Sequence, residues 1–518
     1  MTLSIKGNLV ENNTEEAPTN AEFNNARCSI LSNEPIKNND LIKYIKFTSF
    51  EELEMYYDIN SRTYQMAKGI FSANSKSNLS RINGNMLFIV PYQYTDAKAG
   101  TITTSDFESR FKSGTGEETT YGFSKKKGFL TIQHLNDDGE VLTTYKNYLS
   151  FNKKQGQSME KIVELLNKED FDCDFELVGT EIRITDHSFG AKPKFKIIAT
   201  TLTTQEIEDG YVDFASDSYF DLIDEESEGG AEGEGENPVE ILNRFGNDKD
   251  EKGNKVFYTY HFTTTARMSA DNLLALKQQI AENNQIATNE RYCFFKAHQG
   301  VADSRQLKDS KDLTFSLVYS YNDIFDSGVL LSFVLGRKVS EEDTYSLSFH
   351  NPYKEDLQPS AIKTIGQQSA TFLTSNNAEY IGYFDLNAGW LIKGRERGSQ
   401  SEDNANIQDF YYNLIPLGTN YAESVGGLWK TMQTIKDFEF LLYSFAGKYK
   451  EHHVIGAVPE EELQGVPQNI ADSIQSRGVY FEMPKQISKN NVLTYKTYLG
   501  INGKYVKFSN HIVVYNSK

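Results

Sequence analysis

The segment that most restricts the fold of this chain is a run of five apolar residues, Met86 to Val90, closed by Pro91. A strand with one face in water alternates apolar and polar residues, whereas an unbroken apolar run of this length is typical of a strand covered on both faces. A helix is predicted shortly before it, at Thr63 to Phe71. The run therefore predicts an α/β layer in which helices flank a mixed sheet.

The same order of strand, helix and strand is predicted again much later in the chain. Val256 to Phe262 and Arg291 to Lys296 are predicted strands, and Ser269 to Glu282 between them is a predicted amphipathic helix. The intervening sequence has shorter strands around a single helix, so we interpret it as an insertion. The predicted fold is a multidomain α+β or α/β protein: a discontinuous core domain at 26–100 and 205–518, and a small inserted α+β domain at 101–204.

Helix and hairpin signals define the insertion. The predicted helix, Ser158 to Asn167, has apolar residues at i, i+3, i+4 and i+7, which gives it one buried stripe. Turn sequences at 137–139 and 178–180 each contain a glycine and suit hairpins. The predicted strands of the insertion are Gly128 to Leu135, Phe171 to Val178, Glu181 to Thr185 and Lys194 to Ala199.

Residues 224–238 contain six glutamates among glycines. Such a composition has too few apolar side chains to bury, so it predicts a mobile acidic loop. Beyond it, the C-terminal half has further strand and helix signals, with Gly478 suited to end the last helix. The strand candidates are Leu313 to Tyr319, Tyr345 to Phe349, Tyr380 to Phe384 and Val479 to Met483, and the helix candidates are Gly427 to Phe445 and Pro467 to Arg477.

Both ends of the chain have strand-forming sequences with no evident local partner, Thr2 to Val10 and Tyr505 to Tyr515. An extended segment can satisfy its backbone groups by joining the sheet of another subunit, which links the two chains. We therefore interpret 1–25 and 504–518 as strand arms of an assembly subunit; the alternative is that both ends pair within their own chain. The residues expected in the inter-subunit strands are Leu3, Ile5, Leu9, Val506, Phe508, Ile512 and Val514.

Charge and composition narrow the set of partners. The 518-residue chain has a formal net charge of −19, which repels nucleic acid and anionic lipid. The start of the chain lacks a secretory signal, and no apolar stretch is long enough for stable membrane insertion. Lys125 to Lys127 are expected to be a solvated turn. Cys28, Cys173 and Cys293 are far apart and odd in number, so no disulfide framework is expected.

Sequence motifs of catalysis are missing, including the GxSxG, HExxH, Walker A and CxxC patterns. The adjacent pair His452 and His453 would face opposite ways on a strand and is not expected to bind one ion. A calcium loop beginning at Asp248 is disfavoured because Lys252 occupies a ligand position. We therefore expect no enzyme activity, and we assign no catalytic, cofactor-binding or metal-binding residue.

The order of segments resembles one known family, the sheath subunits of contractile bacteriophage tails, and within it a divergent group of sheath-like proteins. The resemblance covers most of the chain and rests on element order and on scattered apolar and glycine positions. The glutamate–glycine segment and the many Asn and Tyr residues depart from the family pattern. The segments that follow the family order are Ala26 to Ser32, Lys46 to Leu53, Tyr64 to Phe71, Phe129 to Leu135, Met159 to Asn167, Ser188 to Ala191, Ala378 to Phe384, Gly426 to Trp429 and Gly503 to Tyr515.

The resemblance implies a structural role. Sheath subunits stack around a tail tube, and their terminal arms pair with neighbouring subunits; contraction drives the tube through the host envelope. The implied partners are further copies of the chain, the tail tube protein, and the baseplate and tail terminator proteins, without direct contact to nucleic acid and without a cofactor. The implied location is the virion tail, assembled in the bacterial cytoplasm. Two alternatives are another virion protein, such as a baseplate or adhesin-like binding protein, and an acid-dependent glycan hydrolase.

Overall fold

A computed structural model describes most of the chain, as three packed regions. The described residues are 2–4, 28–37, 44–47, 51–72, 87–246, 261–286, 292–301, 315–335, 365–376, 378–383, 390–393, 406, 410, 413–414, 417–418, 420–421, 424, 431–485, 492–501 and 504–513.

The first region is built on an eight-stranded sheet, here called the central sheet. Its six inner strands run parallel, and the strand at each edge is antiparallel to its neighbour. The apolar run that predicted a buried strand forms Leu87–Pro91, so this prediction is confirmed. In order across the sheet, the strands are Trp390–Lys393, Tyr380–Tyr383, Phe315–Tyr319, Cys293–His298, His261–Thr264, Cys28–Ser32, Leu87–Pro91 and Ile45–Phe47.

Helices cover both faces of the central sheet, because successive side chains of a strand point to opposite faces and here both sets are apolar. Ile30 belongs to the core under the helices Arg62–Ser72 and Asp323–Leu335. Its neighbour Leu31 belongs to the core on the other face, under Pro238–Gly246 and Ala270–Ile286. The prediction of a multidomain α+β fold with a mixed sheet flanked by helices is confirmed.

The second region is the insertion, which contains two small sheets and the capped helix Met159–Leu166. The side-chain oxygen of Ser158 accepts from the backbone N–H of Lys161, and the helix buries Ile162 and Leu166 as the periodicity predicts. Both predicted hairpins form, with Gly139 and Gly179 at positive φ in their turns. One sheet contains Val141–Ser150, Lys127–Leu135, Phe195–Ile198 and Tyr211–Asp213; the other contains Cys173–Val178, Glu181–Phe189 and Ala99–Thr103.

The insertion extends beyond the interval 101–204. Ala99–Thr103 pairs with Glu181–Phe189, and Tyr211–Asp213 pairs with Lys127–Leu135. Phe214 and Phe220 are buried in the aromatic core of the same region. The contacts therefore place its limits near residues 99 and 235.

The acidic segment 224–238 is part of this extension, and the prediction of a mobile loop is wrong for it. Isolated bridges join Glu226 to Lys196 and Glu228 to Thr101, and Glu234–Gly235 pairs with Tyr94–Thr95. The prediction considered only how much apolar side-chain surface the segment can bury. The segment is instead held in place by pairing of its backbone with neighbouring strands. Its glycines permit the approach: a Cβ on Gly230 would lie 2.1 Å from the carbonyl oxygen of Gly190.

The third region, near the C-terminus, has its own sheet and core. The helix Met432–Glu451 packs on one face of the sheet, and Gln468–Arg477 packs on the other. Gly478 ends the second helix with φ 76°, which confirms the predicted cap. The sheet strands are Thr2–Ser4, Lys504–Val513, Val492–Ile501 and Val479–Glu482, and we call this sheet the C-terminal sheet.

Shorter elements lie within and between these regions. They are the helices Phe107–Phe111, Thr204–Glu208 and Gln367–Ser375, the 3-10 helices Glu51–Met55, Gly116–Glu118, Gln155–Gln157 and Glu460–Leu463, and the strands Tyr94–Thr95, Lys112–Ser113 and Thr120–Tyr121.

Several expectations can be compared only in part. The predicted strand Tyr345 to Phe349, the start of the predicted strand at Val256 and the start of the predicted helix at Gly427 lie outside the described residues. All three cysteines are buried and form no disulfide, as expected. In the parts of the chain that the structure describes, no helix combines the length and the apolar character needed to span a membrane.

Two helices of the central region touch backbone to backbone through a pair of glycines. A Cβ on Gly328 would lie 1.9 Å from the carbonyl oxygen of Met66, and a Cβ on Gly69 would lie 2.2 Å from that of Phe325. Gly447 is also in a helix, but a Cβ there would meet nothing within 4 Å. Gly328, where a methyl group would collide with a helix, and Gly447, where it would not, therefore form a matched pair for substitution.

We expect Gly328→Ala to destabilise the protein by about 1–3 kcal/mol, because the helices must move apart to accept one methyl group. Gly447→Ala should instead stabilise it by about 0.5–1 kcal/mol, since only the helix preference changes. Urea denaturation followed by circular dichroism measures both. Equal effects of the two substitutions would contradict the close helix contact.

Candidate functional site

The C-terminal sheet brings the two ends of the chain together. Lys504–Val513 pairs antiparallel with Val492–Ile501 over ten residue pairs, so the C-terminal strand has a local partner and is not a free arm. The sequence predicted a C-terminal strand without a local partner, and this hairpin was not predicted. On its other side, Thr2–Ser4 pairs in parallel with Lys507 to Ser509. In the single chain, therefore, both ends pair within their own chain.

The residues expected in the arms are placed as follows. Leu3 lies opposite Phe508, and Phe508 lies opposite Thr497 on its other side. Exchange of these strands between subunits stays a prediction. Val506 and Ile512 lie in the same strand, opposite Leu499 and Leu493, and Ile5, Leu9 and Val514 lie outside the described residues.

The outer edge of Lys504–Val513 is the feature suited to assembly. Among the described strands, only Thr2–Ser4 pairs with this edge, and it covers three of the ten positions. Both faces of the sheet are covered, because Leu499 packs with the helix Met432–Glu451 and Tyr498 packs with Gln468–Arg477. A further strand can therefore add only at the edge, where backbone N–H and C=O groups bind it.

A second candidate is the cavity of about 690 Å³ at the carboxyl ends of Cys28–Ser32 and Leu87–Pro91. Ligands of open α/β sheets commonly bind at such a place, with an anion at a helix N-terminus. Here Glu34 occupies that N-terminus: its carboxylate accepts from the backbone N–H of Arg62 at 3.0 Å and of Thr63 at 2.7 Å. An incoming phosphate would have to displace the chain's own carboxylate.

Lys296 is buried in the central sheet, with 4% of its surface exposed. Its Nζ donates to the carbonyl oxygen of Thr264 at 2.8 Å. Burial lowers the pKa of Lys296 to about 8, although the nearby Asp323 carboxylate acts in the opposite direction. The side chain is therefore a buried ammonium group at neutral pH. The removal of this charge from water lowers the stability of the folded protein.

Two carboxylates, the buried Asp172 and the partly buried Asp170, join the insertion to the central region. Asp172 accepts from the backbone N–H of Val301 at 2.8 Å and from the hydroxyl of Tyr319 at 2.7 Å. Asp170 accepts from the backbone N–H of Ser369 at 2.8 Å and from its hydroxyl at 2.6 Å. These bonds fix one loop of the insertion to a strand and a helix of the central region; we call this the junction.

His187 supplies positive charge at the junction. Burial opposes its protonation, but hydrogen bonds to Asp172 at 3.1 Å and Asp174 at 3.3 Å outweigh it and raise the pKa of His187 to about 10. The imidazolium form therefore compensates the buried charge of Asp172 at neutral pH.

No protein-family model matches the chain, and no curated protein sequence matches it.

Sequence reasoning missed the junction. Its residues come from distant segments and follow no motif spacing. A signal was nevertheless present: the stretch Glu169 to Asp174 places four acidic residues around Phe171 and Cys173, which are apolar side chains typical of a core. Acidic residues that alternate with buried positions indicate a polar group held inside the fold.

The pH dependence of stability tests the burial of Lys296. Because its pKa falls from the ordinary 10.5 to about 8 on folding, the unfolded chain binds more protons between these values. Lysine burial therefore costs most below pH 8, and this cost disappears as the pH rises towards 10.5. We expect the stability of Lys296→Met relative to wild type to fall across this window, by an amount on the order of 3 kcal/mol.

Denaturant unfolding at a series of pH values measures this difference. The exposed Lys153 provides the control, and Lys153→Met should show no such trend. A difference between Lys296→Met and wild type that stays constant from pH 8 to 10.5 would contradict a charged, buried Lys296.

At the junction, Tyr319→Phe should destabilise the protein by about 1–3 kcal/mol, because a buried carboxylate loses a donor without gaining water. Tyr148→Phe is the matched control, since Tyr148 is 44% exposed and should tolerate the change. Thermal denaturation compares the two variants. If both changed the melting temperature equally, the hydroxyl of Tyr319 would have no special role.

Proposed function

We propose that this chain is a structural subunit of a contractile bacteriophage tail sheath, which polymerises around a tail tube. The observation that supports this proposal most is the meeting of the chain ends in the C-terminal sheet. There the N-terminal strand adds in parallel to the outer edge of the C-terminal strand, opposite Lys507 to Ser509. The order of segments along the sequence supports the same family.

Exchange between subunits requires only that the same edge accepts the strand of another copy. The 23 residues between Ser4 and Cys28 can span at most about 80 Å, which is enough to reach a neighbouring subunit. The exchanged strand would make the same backbone bonds as in the single chain, so the swap has a low cost. Each bond contributes a net of about 0.5–1.5 kcal/mol, and many such links hold a lattice together.

Contraction in this proposal is a change in the packing of rigid bodies. The junction carboxylates connect the insertion to the central region, so the two would rotate together during shortening. The connection through each terminal strand would keep neighbours linked while their surfaces slide. The free energy would come from better packing in the shortened state.

The surface beside the C-terminal sheet offers an apolar contact to a neighbour. Phe440 lies on the helix Met432–Glu451 and is 75% exposed, although the opposite side of this helix is buried in the core. Single exposed aromatic side chains are common on protein surfaces, so Phe440 is a contact that the proposal can use and is not separate support for it.

We expect Leu3→Pro, and deletion of residues 1–24, to leave a folded protein that forms no tubes. Proline removes the backbone N–H at Leu3 and disfavours its pairing, whereas the central strands of every sheet remain intact. Thr14→Pro, in the polar segment between strand and core, is the control and should still assemble. Negative-stain electron microscopy detects tubes, and circular dichroism verifies folding.

Long tubes from either N-terminal variant would contradict the proposal. Closed rings or trimers of the wild-type chain, measured by light scattering, would favour a baseplate or adhesin-like protein.

Cysteine cross-linking distinguishes exchange from pairing within one chain. Leu3 and Phe508 are opposite each other, so a mixture of Leu3→Cys and Phe508→Cys chains can form a disulfide only between two molecules. We expect covalent dimers from the assembled mixture on a non-reducing gel. If only the double variant cross-links, and does so within one chain, strand exchange is wrong.

A further inference from the structure

A second group of buried polar residues in the insertion is centred on His134, which lies in the strand Lys127–Leu135 with none of its surface exposed. Its Nε2 is 2.8 Å from the carbonyl oxygen of Phe171. A carbonyl oxygen only accepts, so Nε2 must carry the proton of the neutral ring. In that neutral tautomer the other nitrogen, Nδ1, has a lone pair and no proton.

Asp186, in the strand Glu181–Phe189, faces this lone pair. Its Oδ1 accepts from the backbone N–H of Ser188 at 2.7 Å, and its Oδ2 lies 3.7 Å from Nδ1 of His134. Neither Oδ2 nor Nδ1 has a hydrogen-bond partner, and both atoms are buried. Two acceptors face each other across a gap longer than a hydrogen bond, where a cation would satisfy both.

Asp172 provides a third potential ligand. An oxygen of its carboxylate, a ring nitrogen of His134 and an oxygen of Asp186 all lie within 4.8 Å of one another. Each of the three side chains is oriented through other contacts: Phe171 holds His134, Ser188 holds Asp186, and Val301 and Tyr319 hold Asp172. Groups that orient a ligand in this way are typical of metal sites.

We propose that His134, Asp172 and Asp186 form a binding site for a divalent transition-metal ion, with Zn²⁺ as the preferred occupant. Ligand atoms at the usual 2.0–2.2 Å from tetrahedral Zn²⁺ lie roughly 3.4 Å apart, close to the 3.7 Å between His134 and Asp186. An imidazole nitrogen favours a transition-metal ion such as Zn²⁺ over Mg²⁺ and Ca²⁺.

The position of the site gives the ion a structural role. His134 and Asp186 belong to the two different sheets of the insertion, and Asp172 belongs to the junction with the central region. One ion would therefore fasten both sheets to each other and to the central sheet. This inference does not depend on the sheath proposal, because it concerns the interior of one chain.

Metal titration of the full-length protein tests the site. After treatment with a chelator and desalting, the protein should take up about one Zn²⁺ per chain, measured by elemental analysis. Co²⁺ should give a visible absorption band that excess Zn²⁺ removes. Zn²⁺ should also raise the melting temperature, since an ion that binds only the folded state stabilises it.

Substitutions locate the ion. Asp186→Asn and His134→Gln should each weaken Zn²⁺ binding by at least about 10-fold, a loss caused even by removing groups that only orient a ligand. Asp138→Asn and His453→Gln are the controls, because both residues are exposed and neither belongs to the site. Circular dichroism verifies that each variant is folded.

Two results would overturn the proposal. The wild-type chain could bind none of Zn²⁺, Co²⁺ and Mn²⁺ and keep its melting temperature, which would make the group a polar cluster held by hydrogen bonds alone. Alternatively, folded Asp186→Asn and His134→Gln could bind Zn²⁺ as tightly as the controls, which would place the ion elsewhere. The first result needs no variant, so a substitution that prevents folding does not leave the question open.

Discussion

The central sheet imposes the requirement on which the remaining architecture depends: both of its faces must be covered. Its parallel strands alternate apolar side chains to either side, as Ile30 and Leu31 do, so helices are needed in both layers. Parallel strands also need long crossover connections. The insertion lies within one of them, between Leu87–Pro91 and His261–Thr264, and leaves the order of the sheet intact.

The insertion is attached by polar groups as well as by shared apolar surface. Buried carboxylates are costly, and those at the junction are tolerated because backbone N–H groups, hydroxyls and a protonated histidine satisfy them. These hydrogen bonds require defined distances and angles, whereas contacts between apolar side chains do not. The arrangement favours a single orientation of the insertion over a sliding one.

Local patterns predicted much of the fold. The buried run before Pro91, the stripe of the helix Met159–Leu166, the glycine turn at Gly179 and the cap at Gly478 each depend on near neighbours in sequence. The pairing of the acidic segment could not be predicted, because backbone bonds leave no signature in side-chain composition.

In the candidate sites, too, features that depend on near neighbours in sequence were predicted and features that depend on the fold were not. Strand preference indicated that the chain ends are extended, but pairing partners are a property of the fold, and the hairpin of Lys504–Val513 with Val492–Ile501 was missed. His134, Asp172 and Asp186 are separated by 38 and 14 positions, and no known ligand spacing joins them. Only the folded arrangement shows that two buried atoms without hydrogen-bond partners face each other.

The pairing of Thr2–Ser4 has a practical consequence for anyone who labels this protein. Pairing begins one residue after Met1, so an affinity tag or fluorescent protein fused there would sit against the sheet edge and obstruct it. The hairpin turn at Gly139 is a better place for a reporter. It is exposed, its backbone has open space around it, and tips of this kind tolerate added sequence without disturbing the strands that they join.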